Sequence, residues 1–354
     1  MMMFKFSVGN TWDNSSLDTI GDLNRKYRPQ SEVVELYGSI PGITPTARAA
    51  DRLPHREMGI PEIAVYVREA RKLGIAIEWT LNSPYIGPTQ DFGWDSLKSS
   101  LHSLYDVGIV RFVITHPLLM KLVRQELPGS VLEVSTIAEV ESPEQVSAWH
   151  ELGANNICGK HELNRNFGAL WSIIGECHRL GMEYKVLANE TCLPGPCVMR
   201  SSCYLASSVD SNRDLYNHWP FGYCERKRTE NPSNLLRSKF ILPQWIPLYS
   251  SIGVDTFKVT GRTLPSHVVL SILDKYMSLE WKGNLLDLFP GFSHLAGTKP
   301  QGLFISCEEV DKQRFLQYFL DHGRLCSLKS CHRCRYCEAA YQKTRRKPTD
   351  APKT

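Results

Sequence analysis

The sequence predicts an α/β fold: a (β/α)8 TIM-type barrel with a small cysteine-rich C-terminal extension. Three observations carry this expectation. Short apolar runs alternate with helix-like segments along most of the chain, which is how a parallel sheet with crossover helices reads. About eight such runs fall within roughly 260 residues, the size of a closed barrel. An open doubly wound sheet is the alternative. No GxGxxG follows the first run and no GxxxxGKS or GxxxxGKT occurs, so its nucleotide-binding versions lose support.

The strand candidates, in order, are Phe4 to Gly9, Val33 to Gly38, Ile75 to Asn82, Arg111 to Thr115, Val131 to Thr136, Asn155 to Gly159, Tyr184 to Asn189 and Asp255 to Gly261. Between them, Pro61 to Gly74 has proline at a helix start and glycine at its end, the usual asymmetry of helix termini. Ser142 to Gly153 has a serine cap and a closing glycine, and Asn166 to Gly181 repeats the closure. The barrel is expected over residues 1–280, the extension over 281–340 and a basic, disordered tail over 341–354. Composition is ordinary for a globular protein, and a net charge of +4 permits an anionic partner without announcing nucleic acid. No apolar run approaches the roughly 18 residues of a membrane span, and the N-terminus lacks a signal-peptide core. The expected location is cytoplasmic, with no membrane partner.

In a barrel the chemistry sits where strands end. The loop after the seventh strand, NETCLPGPCVMRSSC, holds Cys192, Cys197 and Cys203 at C-x4-C-x5-C spacing, with Cys224 as the nearest candidate fourth ligand. Eleven cysteines in a cytosolic chain point to metal or redox chemistry rather than disulfides. Thiolates are soft ligands that hold zinc or iron–sulfur clusters, about four to a site. A second group, Cys326, Cys331, Cys334 and Cys337, is spaced C-x4-C-x2-C-x2-C. Its core is similar to ferredoxin-type cluster loops; a zinc knob, with His332 at hand, is the rival. Whether the two groups form one metal site or two is open. Cys158, Cys177 and Cys307 have no partners in sequence and are expected to pack.

Other strand-end residues are candidates with plain structural alternatives. Lys258 and Arg262 flank the end of the eighth strand, and Arg48 follows the second. They would bind an anionic substrate or co-substrate, or else sit in salt bridges. Asn82 ends the third strand on the substrate side. Glu190 is a candidate general base or orienting group. His116 and His161 are candidate proton shuttles. Tyr37 and Trp79 would stack on a ring substrate or simply pack.

Several stretches together resemble the collagenase-like peptidase family, peptidase family U-32: VVELYGSIPG with Arg48 and Arg52, TLNSP, NETCLPGPCVMR, and WIPLYSSIGVDTFKVTGR. The resemblance covers most of residues 1–265. It implies an iron–sulfur protein related to enzymes of oxygen-independent hydroxylation, acting on ubiquinone precursors or RNA bases, with prephenate as an oxygen source in several. It implies a 4Fe-4S cluster at the barrel rim, with Cys192 and Cys197 carried over. Two departures stand out: the order of proline and cysteine near residue 196, and Cys203 where the family pattern has histidine.

The expected function is therefore an iron–sulfur-dependent redox tailoring enzyme, a hydroxylase of an anionic small molecule, nucleobase or peptide side chain. An electron-transfer or homologous subunit is an expected partner, and Arg226, Lys227 and Arg228 with the basic tail leave RNA open. A peptidase-type hydrolase is the first alternative, although no HExxH or GxSxG occurs. A metal-stabilised module that binds RNA or a carrier protein is the second.

Overall fold

The structure is a computed structural model and describes residues 3–40, 42–44, 58–86, 93–193, 199–206, 214–262, 264–290, 303–327 and 331–345. Eight parallel strands close into a barrel in sequence order: β1 (Phe4–Gly9), β2 (Ser31–Gly38), β3 (Ala76–Leu81), β4 (Arg111–Ile114), β5 (Val131–Val134), β6 (Asn156–Cys158), β7 (Glu183–Leu187) and β8 (Thr256–Val259), with β8 pairing back onto β1. Helices α1 (Asn14–Tyr27), α2 (Ile60–Lys72), α3 (Trp94–Asp106), α4 (Pro117–Glu126), α5 (Pro143–Glu151) and α6 (Phe167–Arg179) follow the first six strands. The expected serine cap is present, and an asparagine caps the next helix. Ser142 accepts from the Gln145 amide at the start of α5, and Asn166 accepts from the Ala169 amide at the start of α6.

The β7–β8 connection is longer. It carries α7 (Met199–Ala206), α8 (Asp214–Glu230), α9 (Ser233–Arg237) and α10 (Ile246–Ser251); α11 (Ser266–Met277) closes the ring. The C-terminal part adds α12 (Cys307–Lys312), α13 (Gln317–Ser327), α14 (Cys331–Cys334) and α15 (Tyr336–Thr344). Among the described residues no helix is long and apolar enough to cross a membrane.

The apolar core lies outside the barrel. Phe6, Leu36, Ile77, Trp79, Phe112, Leu132, Val134, Tyr184, Val186 and Phe257 face the helices and are buried with them in one cluster. Alternate residues, pointing to the axis, are polar: Ser7, Glu35, Glu78, Thr80, Glu133, Asn156, Lys185 and Lys258, all buried. The period-2 side-chain rule explains why strands that read as mixed apolar and charged still make a sheet.

The C-terminal extension does not stand apart. Phe315, Leu316, Phe319, Ala340 and Tyr341 belong to the same core as the barrel helices, and Trp245 Nε1 donates to Asp311 at 2.7 Å. The tail expected from residue 341 is corrected too: α15 continues to Thr344, because Ala340, Tyr341 and Thr344 are buried on one side of it. Residues 346–354 lie outside the described residues.

Candidate functional site

Five strands each place one charged residue on the barrel axis: Glu35 on β2, Glu78 on β3, Glu133 on β5, Lys185 on β7 and Lys258 on β8. Lys185 Nζ donates to the two Glu35 oxygens at 2.8 and 2.9 Å and lies 2.6 Å from Glu133 Oε2. Lys258 Nζ donates to Glu133 at 2.6 Å and to Glu78 at 3.1 Å. Three carboxylates face the two ammonium groups, and Arg111 Nη1 lies 3.5 Å from Glu35 Oε2 as a third cation. Burial, with Glu133 and Glu35 alongside, pushes Glu78 up to about 8, while burial is outweighed at Glu35 by Lys185 and Lys258, which hold it down at about 2. Of the three carboxyls, Glu78 is thus the one whose proton the fold favours. The three carboxylates lie close enough together to hold a cation, and the lysines supply that charge.

Above this layer sits Tyr37, with Lys258 Nζ 4.3 Å from its ring centroid and its hydroxyl donating to the Val259 carbonyl at 3.3 Å. Burial raises its pKa well above the ordinary phenol value; Arg262 and Glu190 are both within its electrostatic reach. Tyr37 is thus the floor of the mouth, between two flanks. On one flank Arg262 Nη1 donates to Thr80 Oγ1 at 2.9 Å. Gly9 makes this possible: a Cβ there would stand 2.6 Å from the Arg262 backbone nitrogen, and Gly261 turns the chain at φ 144°.

The other flank gathers around the loop after β7. The Cys192 thiol lies 3.6 Å from Glu190 Oε1, which also accepts from the Thr191 amide at 2.9 Å. Burial, then Glu190 and Cys203, raise the Cys192 pKa well above the usual thiol value, against Arg200 and Arg228. Arg200, on α7, donates to Glu139 at 3.0 Å and Glu162 at 2.8 Å. Lys160 joins the network, donating to Glu141 at 2.8 Å and lying 3.4 Å from Glu139. Glu139 adopts left-handed backbone at φ 53°, an uncommon state for a non-glycine residue that ion pairing holds in place here. Arg228 Nη1 donates to the Thr191 carbonyl at 2.8 Å. His161 is buried beside Glu190 and Arg200; burial lowers it to about 4, so it is neutral, and its Nε2 has no partner among the described residues.

A strand-built barrel whose mouth is lined by thiols, guanidinium groups and a carboxylate can be set beside known proteins at this point. The family model for peptidase family U32 matches residues 46–280. The chain belongs to this family. An uncharacterised protease of Methanocaldococcus jannaschii is 24% identical over 349 residues, covering 96% of this chain and 98% of that protein. A solved U32 peptidase is 17% identical with a TM-score of 0.48, covering 73% of this chain and 93% of its own.

In this U32 protein the structure brings together Glu190, His161, Cys192 and Cys203, four of the residues singled out in the sequence. Cys203 is not in the loop, however, but on α7, and Cys224 is half-buried on α8, a helix packed against α7. Lys258 is corrected: it is not a rim group free to take an anion but lies on the axis, locked by two carboxylates. Trp79 faces outward into the core. Asn82 is half-buried, its carbonyl accepting from Thr115 Oγ1 at 2.9 Å. His116 caps α4 apart from the cysteine flank, with Nδ1 unpartnered among the described residues. Arg48 and Cys197 lie outside the described residues. Sequence reasoning missed Arg200 with Glu139 and Glu162, which only the fold assembles. It also missed the axial charges, whose signal was visible: a Glu or Lys inside strand after strand.

Proposed function

We propose that this U32 protein is an iron–sulfur-dependent tailoring enzyme, an oxygen-independent hydroxylase of an anionic small molecule, nucleobase or peptide side chain, working at the barrel mouth in the cytoplasm. The observation that carries the reading is the thiol flank. Cys203, Arg200 and Arg228 all lie within electrostatic reach of Cys192. Soft thiol donors backed by guanidinium groups suit a thiolate-bound cluster, whose net negative charge needs nearby cations. Cys192, Cys203 and Cys224, with Cys197, would hold a 4Fe-4S cluster here; when bound it supplies one-electron transfer or, with an open iron, Lewis-acid chemistry.

The chain's own residues prepare the rest. Arg262, steadied by Thr80, presents a guanidinium suited to a carboxylate on an anionic substrate or a prephenate-like co-substrate. Tyr37 offers a ring beneath it. Glu190, in contact with the Cys192 thiol, is an acceptor within electrostatic reach of neutral His161, a proton-carrying ring. An electron-transfer or homologous subunit would serve the redox cycle.

A peptide-hydrolase reading is favoured by the family's name and by the protease description of the archaeal relative. Against it, the Cys192 thiol meets a carboxylate rather than an imidazole, which is not how a thiol nucleophile is activated. Anaerobic purification with iron and sulfide analysis and electron paramagnetic resonance separates the two. The hydroxylase reading expects cluster iron that falls by about four atoms per chain in Cys192→Ala. Unchanged iron in Cys192→Ala and Cys203→Ala would overturn the ligand assignment, and peptide cleavage surviving loss of Cys192, Cys197, Cys203 and Cys224 would establish the hydrolase.

A further inference from the structure

The C-terminal part carries four thiols that the barrel mouth does not use. Cys326 lies near the end of α13, Cys331 and Cys334 bracket α14, and Cys337 is in the first turn of α15. Between the last two helices Arg335 takes left-handed backbone at φ 52° and turns the chain. Cys326 and Cys331 both lie within electrostatic reach of Cys337. Cys334 Sγ is 3.3 Å from Tyr318 Oη, and the Tyr318 ring stacks on Tyr336 at 3.8 Å, so an aromatic ledge borders the thiols.

Two buried cations face the same place from the barrel side. Lys239 is 6% exposed, and its Nζ donates to Cys326 Sγ at 2.8 Å. Arg165 is 0% exposed and packed among Phe240, Phe315 and Phe319, with ring centroids 4.6, 4.8 and 5.0 Å from its guanidinium carbon. Its Nη1 donates to the Leu236 carbonyl, while Nε and Nη2 have no partner among the described residues. Its foremost electrostatic neighbours are Cys337 and Cys326, not a carboxylate. A guanidinium that is always charged is costly to bury without an anion. Neutral thiols do not provide one. Metal-bound thiolates do, since binding strips their protons: four thiolates around a dicationic core leave two negative charges, one for each of Arg165 and Lys239.

The spacing favours a cluster over a single ion. In a tetrahedral zinc site with bonds of about 2.3 Å the sulfurs stand only about 3.8 Å apart. Among the described residues no group of three potential ligands that includes a cysteine converges within 4.8 Å. Around a four-iron cube each thiolate binds its own iron and the sulfurs stand further apart, which C-x2-C-x2-C loops accommodate. We propose that Cys326, Cys331, Cys334 and Cys337 form a second site, separate from the barrel mouth, that takes a 4Fe-4S cluster with Arg165 and Lys239 as its buried counter-cations.

The test uses the full chain, purified and reconstituted anaerobically with iron and sulfide, in a Cys192→Ala background that empties the mouth. The expected result is about four iron atoms per chain, lost in Cys331→Ala/Cys337→Ala with the far-ultraviolet circular dichroism retained. Lys239→Met keeps the iron and moves the midpoint potential to more negative values, because a lost cation disfavours the reduced, more negative cluster. If the mouth binds no iron, the unsubstituted chain holds only these atoms and the same double variant removes them, so the two proposals fail separately. Iron unaffected by Cys331→Ala/Cys337→Ala, stoichiometric zinc with no iron after reconstitution, or a potential unmoved in Lys239→Met would overturn the proposal. Should the double variant not fold, Cys334→Ser alone is read by its electron paramagnetic resonance spectrum, and an unchanged signal counts against the site.

Discussion

At the scale of single residues, Glu78 is the most consequential group on the barrel axis. Its folded pKa stands at about 8, raised from the ordinary value of 4.5 by burial and by Glu133 and Glu35. The folded chain holds this proton more tightly than the unfolded one. Its contribution to stability is therefore complete below about pH 4.5 and is lost as pH rises through about 8. Glu35 runs the other way: held down at about 2, it stabilises above the ordinary carboxylate range and loses that contribution as pH falls toward 2. Denaturant unfolding followed from pH 5 to 9 should show stability declining with pH. Glu78→Gln, which mimics the protonated carboxyl, should flatten that slope. An equal slope in the variant would place the titrating proton on another group.

At the scale of elements, the rim depends on α7. Arg200 ties this helix to Glu139, on the turn after β5, and to Glu162, on the turn after β6. Both ion pairs are shielded on the arginine side, whose side chain is 11% exposed. Arg200→Ala leaves two carboxylates without that partner beside Lys160, and should cost about 1.5–3 kcal/mol, the usual worth of charge-assisted hydrogen bonds. It should also loosen Cys203, which rides on the same helix. Urea denaturation measures the first effect, and the rate of Cys203 alkylation by a maleimide the second. A helix that protects Cys203 equally well without Arg200 would mean that packing against α8 alone holds it.

At the scale of the whole molecule, the C-terminal part is structural as well as chemical. Phe315 stacks on Trp245 and on Tyr336, and α15 packs against α9. Burying side chains such as Phe315, Leu316, Phe319 and Tyr341 stabilises by about 1.5–3 kcal/mol each, together comparable to the entire net stability of about 5–15 kcal/mol of a typical protein. A chain ending at residue 302 should therefore fail to unfold cooperatively in a thermal melt. A sharp transition near that of the full chain would show that the barrel stands alone. The same packing explains why Arg165 is buried: the extension closes over it and over Lys239.

The sequence by itself determined the barrel. Alternation of eight short strands with capped helices leaves few topologies, and parallel pairing with right-handed crossovers leaves fewer. It also placed the thiol-bearing loop after β7, because that follows from local order. Only the tertiary structure decided what those residues meet. Lys258 reads in sequence as an anion site at a strand end, and its role changes because Glu78 and Glu133 arrive from strands far away along the chain. Arg165 reads as one more arginine before a helix, and it acquires meaning only when α13 and α15 bring cysteines over it. Charge pairing inside a closed barrel, and burial under a distant helix, depend on long-range contacts that no local pattern encodes.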